Sequence, residues 1–84
     1  MIGCKNQCFI CGSQRNLETH HCLHGPRRAA ADKYKLVVRL CNTYHRNLHD
    51  HGDHDQELEA IAQTVFEAKY GRVEWMRVFG KNYL

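Results

Sequence analysis

A chain of 84 residues with 12 Lys/Arg, 9 Asp/Glu, 7 His and 5 Cys has room for one domain and a thin apolar core. A domain of this size usually needs disulfides or a metal to hold it. No apolar run approaches the ~20 residues that cross a bilayer, and no charged start leads into an apolar stretch and a cleavage site. The odd cysteine count and the lack of a secretion signal favour metal ligands over a disulfide framework.

The formal charge of +3 is unevenly spread. Residues 1–48 hold Lys5, Arg15, Arg27, Arg28, Lys33, Lys35, Arg39 and Arg46 against Glu18 and Asp32, whereas residues 49–84 are net acidic. That polarity suits a front half that meets polyanions, although solvated surface charge accounts for it as well. All seven histidines fall between His20 and His54.

In chain order, "CFICG" reads as a tight knuckle, with Gly12 free to take a left-handed turn. "NLETHHCL" predicts a short strand that ends at Gly25-Pro26. "RRAAADKY" is polar and helix-compatible and is expected to form a structured loop. "YKLVVRL" is the best strand, β-branched at its centre. "CNTYHRNLHDH" predicts a short helix with His45 and His49 on one face. "DHDQELEAIAQTVFEAKYG" is the clearest helix, with Leu58, Ile61, Ala62, Val65 and Phe66 as a core-facing stripe. Asp53 or Asp55 is expected to cap its start and Gly71 its end. "RVEWMRVFG" adds a further helical turn or two, with Trp75, Val78 and Phe79 on one side. These apolar residues belong to the core.

Cys8 and Cys11, two residues between them, are half of a tetrahedral zinc site. Cys41, just after the second strand, can return as a third thiolate. A second paired half would place its partner at position 44, which is Tyr44. Cys4 is therefore the candidate fourth ligand, with three thiolates plus water, or no zinc, as the alternatives. Cys22 reads as a small buried hydrophobe. An ordinary finger built on Cys8, Cys11, His45 and His49 is excluded, because its gap is nearly three times the roughly twelve residues such fingers use. A catalytic cysteine is poorly supported, since knuckle spacing explains the pair as ligands.

The ordered set Cys8, Cys11, His20-His21, Cys41, His45, His49 resembles the zinc-knuckle branch of the HNH nucleases over residues 8–84. The closing "GKNYL" resembles small HNH proteins encoded by phages and prophages. The resemblance implies an α+β chain with a small ββα-metal (HNH) core at 17–51, an N-terminal zinc knuckle at 4–12 and C-terminal helices at 55–80. It implies that His20 is a cation ligand and His21 the general base. His45 is a ligand or an orienting catalytic group, and His49 the second firm ligand with His51 as fallback. Tyr44 departs from the family pattern, which bears on the structural zinc more than on the nuclease centre.

The residue types suit phosphodiester hydrolysis. Consecutive side chains in a strand point to opposite faces, so His20 and His21 can divide two tasks. One side of the phosphate needs a base near neutral pH. The other needs a divalent cation, such as Mg²⁺ or Mn²⁺, to offset developing charge. Arg27 and Arg28 are placed to grip phosphates, with Arg28 preferred. Lys35 and Arg46, with Lys33 and Arg39, add sequence-independent affinity for DNA. His24, His51 and His54 read as surface histidines. No recognition helix is evident, so strong sequence preference is not expected.

The resemblance implies a nicking endonuclease that leaves 5′-phosphate ends, needs a dimer or two encounters for a double-strand break, and works in the cytoplasm of a bacterial host. No membrane partner is expected. The alternative is a non-catalytic zinc module that binds nucleic acid or a protein, with His20 and His21 structural. A third reading, a secreted disulfide protein, would need an absence of free thiols.

Overall fold

Two five-residue segments form the only sheet: β1 (Leu17–His21) and β2 (Val37–Cys41) pair antiparallel. The computed structural model describes residues 1–84, an α+β arrangement of this sheet with four helices. The register sets Leu17 opposite Cys41, Thr19 opposite Arg39 and His20 opposite Val38. The strand pair therefore carries Cys41 at one end and the adjacent histidines at the other. At ~3.4 Å per residue, the cysteine end and His20 stand ~10 Å apart along the sheet. The ladder is prolonged at both edges: Cys22 donates its N–H to the carbonyl of Leu36 at 3.1 Å, and Ile2 donates to Val37 at 2.9 Å.

Between the strands lies a 3-10 turn (Gly25–Arg27) that runs into helix α1 (Arg28–Lys33). The expected loop over "RRAAADKY" is thus a helix. Pro26 pre-sets the first turn, three consecutive alanines favour continuation, and Ala31 is fully buried. Lys35 takes a positive φ of 58°, which lets Leu36 turn back and donate to the Ala31 carbonyl at 2.8 Å.

Helix α2 (Asn42–His51) follows β2 without a loop and ends at Gly52 in the left-handed region. Helix α3 (Asp55–Tyr70) does not start on the expected aspartate cap: its N-cap is His54, with no side-chain capping bond. Asp55 is engaged elsewhere, accepting a hydrogen bond from His24 at 2.7 Å. Gly71 does close the helix, donating to the Glu67 carbonyl, and α4 (Arg72–Phe79) begins at once.

Leu58, Ala62 and Phe66 line the buried side of α3 as the periodicity requires, while Ile61 is half-buried and Val65 stays 44% exposed. The stripe is narrower than expected because α3 packs mainly on α4. Trp75 and Phe79 stack at 4.1 Å, and Phe66 meets them edge-on at 5.4 and 5.6 Å. The C-terminal tail returns to this cluster. Trp75 Nε1 donates to the Lys81 carbonyl at 2.7 Å. The fully buried Gln63 donates to Asn82 at 2.9 Å and accepts from the Tyr83 N–H at 2.6 Å. Both ends of the Gln63 amide are satisfied, which is what allows it to be buried. No helix is long and apolar enough to cross a membrane.

Candidate metal centres

Two polar sites lie at opposite ends of the sheet. At the Cys41 end, the Cys8–Cys11 turn is closed by Gly12 donating to the Cys8 carbonyl at 2.9 Å and Cys8 donating to Ser13 at 2.8 Å. Gly12 has φ +77°, a conformation glycine adopts freely. Phe9 donates to the Arg39 carbonyl at 2.7 Å and so fixes the knuckle to β2. Cys8, Cys11 and Cys41 place their sulfurs within 4.8 Å of one another.

Two thiolates on one tetrahedral cation, at a metal–sulfur length of ~2.3 Å, stand ~3.8 Å apart. Cys11 and Cys41 do so at 3.8 Å. Burial raises the Cys8 thiol, but the backbone N–H groups of Cys11, Cys41 and Ile10 outweigh it and bring the thiol to about 7. Cys11 is pushed up: Ser13's backbone lowers it, yet burial and the neighbouring sulfurs prevail.

Cys4 does not join them. It is exposed in the preceding turn and lies outside the cluster, so the expected fourth thiolate is corrected to a set of three. Cys22 is fully buried, and desolvation pushes its thiol to about 12, which leaves it the inert hydrophobe expected.

At the other end of the sheet, a pocket of about 260 Å³ is lined by no hydrophobic residue. His20 reaches it from β1, with 2% of its surface exposed and Nε2 buried without a hydrogen-bond partner. Its ring lies 5.3 Å from that of His45 and 5.7 Å from that of His49. His45 and His49, one turn apart on α2, face each other with Nε2 atoms 3.0 Å apart. Imidazole nitrogens ~2.0–2.1 Å from a tetrahedral cation stand ~3.3 Å apart. The ligand atoms of all three histidines lie within 4.8 Å, so small side-chain rotations suffice.

A carboxylate sets the tautomer of one candidate ligand. Glu18, two residues before His20 on β1, accepts from His45 Nδ1 at 2.6 Å. With Nδ1 carrying the hydrogen, His45 Nε2 presents its lone pair to the pocket. Burial, helped by the nearby His24, His45 and His49, lowers His20 from 6.5 to about 4. It is therefore neutral at physiological pH, the form that ligates.

His21 takes a different environment. It is half-buried at the pocket's edge, and its Nε2 lies 3.2 Å from Asp32 of α1. If Asp32 accepts the Nε2 hydrogen, Nδ1 is left with the free lone pair. Arg28 lines the pocket as preferred. Arg27 does not: its Nε donates to the Phe79 carbonyl at 2.8 Å and ties the turn to the end of α4, so its expected phosphate-gripping role is corrected to a structural one. Lys35 and Arg46 are exposed but outside the pocket.

His51 is not needed as a fallback, since His49 reaches the cluster and His51 does not. His54 sits 3.5 Å from Glu57. His24 is exposed as expected, and it also borders the pocket, with its ring 5.4 Å from that of His20. Of the residues the sequence reading missed, Glu18 alone carried a local signal. It shares a strand face with His20, whereas Asp32, His24 and Asp55 reach the site only through tertiary packing.

No protein-family model, no curated protein and no solved structure matches this chain.

Proposed function

We propose that the chain is a metal-dependent endonuclease of the HNH type that hydrolyses DNA phosphodiester bonds, with β1, β2 and α2 as a ββα-metal core. One observation carries the reading. Two adjacent histidines have opposite surroundings: His20 is buried with an unpartnered Nε2 beside His45 and His49, and His21 is held at the pocket's edge by Asp32. A buried nitrogen without a partner costs stability, and a ligand role accounts for it.

His20, His45 and His49 are the residues that would hold a divalent cation. When bound, that cation offsets charge on the scissile phosphate and the departing 3′ oxygen. His21 is the general base: Asp32 orients its ring through Nε2, and Nδ1 takes the proton from the attacking water. Glu18 keeps His45 in the tautomer that ligates. Arg28, at the pocket rim, binds a phosphate oxygen and holds the strand in place. Lys35 and Arg46 contribute affinity for the DNA backbone without reading sequence. At the other end of the sheet, Cys8, Cys11 and Cys41 are the residues that would hold a structural zinc. With one centre per chain, each encounter nicks one strand.

The test is incubation of purified protein with supercoiled plasmid and Mg²⁺ or Mn²⁺, beside a His21→Ala variant. The proposal expects relaxation by the wild type and a loss of roughly 10²–10⁴-fold in the variant, the range for a general base. Equal nicking by both proteins, or by neither, contradicts it. In the latter case a non-catalytic zinc module becomes the better reading.

A further inference from the structure

The buried ring of His20 adjoins two pairs of donors around one pocket, and the nuclease reading uses only one. The first pair is His45 and His49 on α2. The second is His24, in the turn after β1, and Asp55, the first residue of α3. His24 Nε2 and Asp55 Oδ1 converge to 2.7 Å, and the side chains are only 41% and 29% exposed. The ring of His24 lies 5.4 Å from that of His20, about as close as His45, and 6.3 Å from that of His49. The ligand atoms of His20, His24 and Asp55 all fall within 4.8 Å of one another.

An exposed His–Asp pair alone contributes about 0.2–1 kcal/mol and would need no further explanation. Two other observations point beyond it. Asp55 occupies the start of a helix yet makes no capping bond there, its carboxylate being turned to His24. The ring of His20, whose Nε2 is buried without a partner, lies beside the same pair.

We propose that His20, His24 and Asp55 form a second cation position, taking a borderline divalent ion such as Zn²⁺ or Co²⁺ through two imidazole nitrogens and one carboxylate oxygen. The inference builds on the reading of His20, His45 and His49 as the first position and shares His20 with it. The two positions share the His20 imidazole and compete for it. A cation can then rest against α3 or sit against α2, and the C-terminal helical part touches the site through Asp55.

The experiment is a Co²⁺ titration of zinc-loaded protein, followed by visible d–d absorption. Bands from sulfur ligation separately report any exchange at the cysteine cluster. A His45→Ala/His49→Ala double variant removes the first position. It is expected to retain one Co²⁺ per chain, with affinity weakened at least about tenfold when His24→Ala or Asp55→Asn is added. Asp55→Asn preserves shape and decides the matter if His24→Ala loses helical circular dichroism. The proposal is overturned if the double variant binds no Co²⁺ beyond the cysteine cluster, or if neither added substitution weakens what it binds. These outcomes are independent of the His21→Ala plasmid result, so failure here and failure of the nuclease reading are separable.

Discussion

Replacing His20 by leucine should stabilise the protein once the pocket is free of cation. His20 is 2% exposed, and its Nε2 has no partner. A buried polar atom in that condition costs about 1–3 kcal/mol. Leucine keeps most of the volume and removes the atom, so His20→Leu is expected to gain about 1 kcal/mol at neutral pH.

The pH dependence sharpens the test. The folded imidazole protonates at about 4 and the free one at 6.5. Between those values the unfolded chain binds more protons, so the wild type loses stability as pH falls. Above 6.5 both states are neutral and the penalty is absent; below 4 it is complete. At ~1.4 kcal/mol per pH unit, the full penalty is about 3 kcal/mol, reduced to about 2 by solvent in the open pocket. Between about pH 7.5 and pH 5.5, the advantage of His20→Leu should therefore grow by about 1 kcal/mol. Urea unfolding, followed by fluorescence of the single buried tryptophan, Trp75, measures both proteins under the same chelator. The cysteine cluster contributes equally to each and cancels. A variant less stable than wild type at neutral pH, or a gap that does not widen on acidification, refutes the reasoning.

Glu18→Gln should weaken cation binding at the histidine pocket roughly 10–100-fold, because His45 loses the carboxylate that fixes its tautomer; calorimetric titration with Zn²⁺ reads this directly. Cys41→Ser should remove one bound zinc per chain and lower the melting temperature, since folding and coordination are coupled; atomic absorption and a thermal melt check both. Trp75→Ala should cost about 3–5 kcal/mol, because the indole is fully buried against Phe66 and Phe79; urea unfolding followed by circular dichroism measures it.

Legibility varied with how local the determinants were. Both strands and helices α2 and α3 were readable because alternation, β-branching and helical spacing act over a few residues. Gly71 as a helix end was readable for the same reason. Helix α1 was missed because its polar surface hides a single buried contact, Ala31. The expected aspartate cap of α3 failed because the helix starts with His54 at the cap position and Asp55 already inside it, its carboxylate turned to His24, 31 positions away. Arg27 illustrates the same limit: its partner, the Phe79 carbonyl, lies 52 positions along the chain.

The candidate site divides along the same line. The three cysteines were chosen from spacing and position, and His20, His45 and His49 from the family resemblance; their ligand atoms converge in two clusters. Cys4 was chosen by elimination, and no local force draws its exposed turn toward the other thiols. Asp32 and His24 were invisible as site residues because Asp32 meets His21 only through the packing of α1 on β1, and His24 meets Asp55 only across 31 positions. Gln63, which tethers the tail, looked like an ordinary polar position on a helix until its two amide partners at Asn82 and Tyr83 were seen.

Anomalous diffraction at the zinc edge from crystals grown with Zn²⁺ tests the central claim most directly. Two peaks are expected, one bonded to the sulfurs of Cys8, Cys11 and Cys41, and one bonded to His20 Nε2 together with a nitrogen from His45 or His49. A single peak at the cysteines, with His20 Nε2 satisfied by a protein group instead of an ion, would contradict the account.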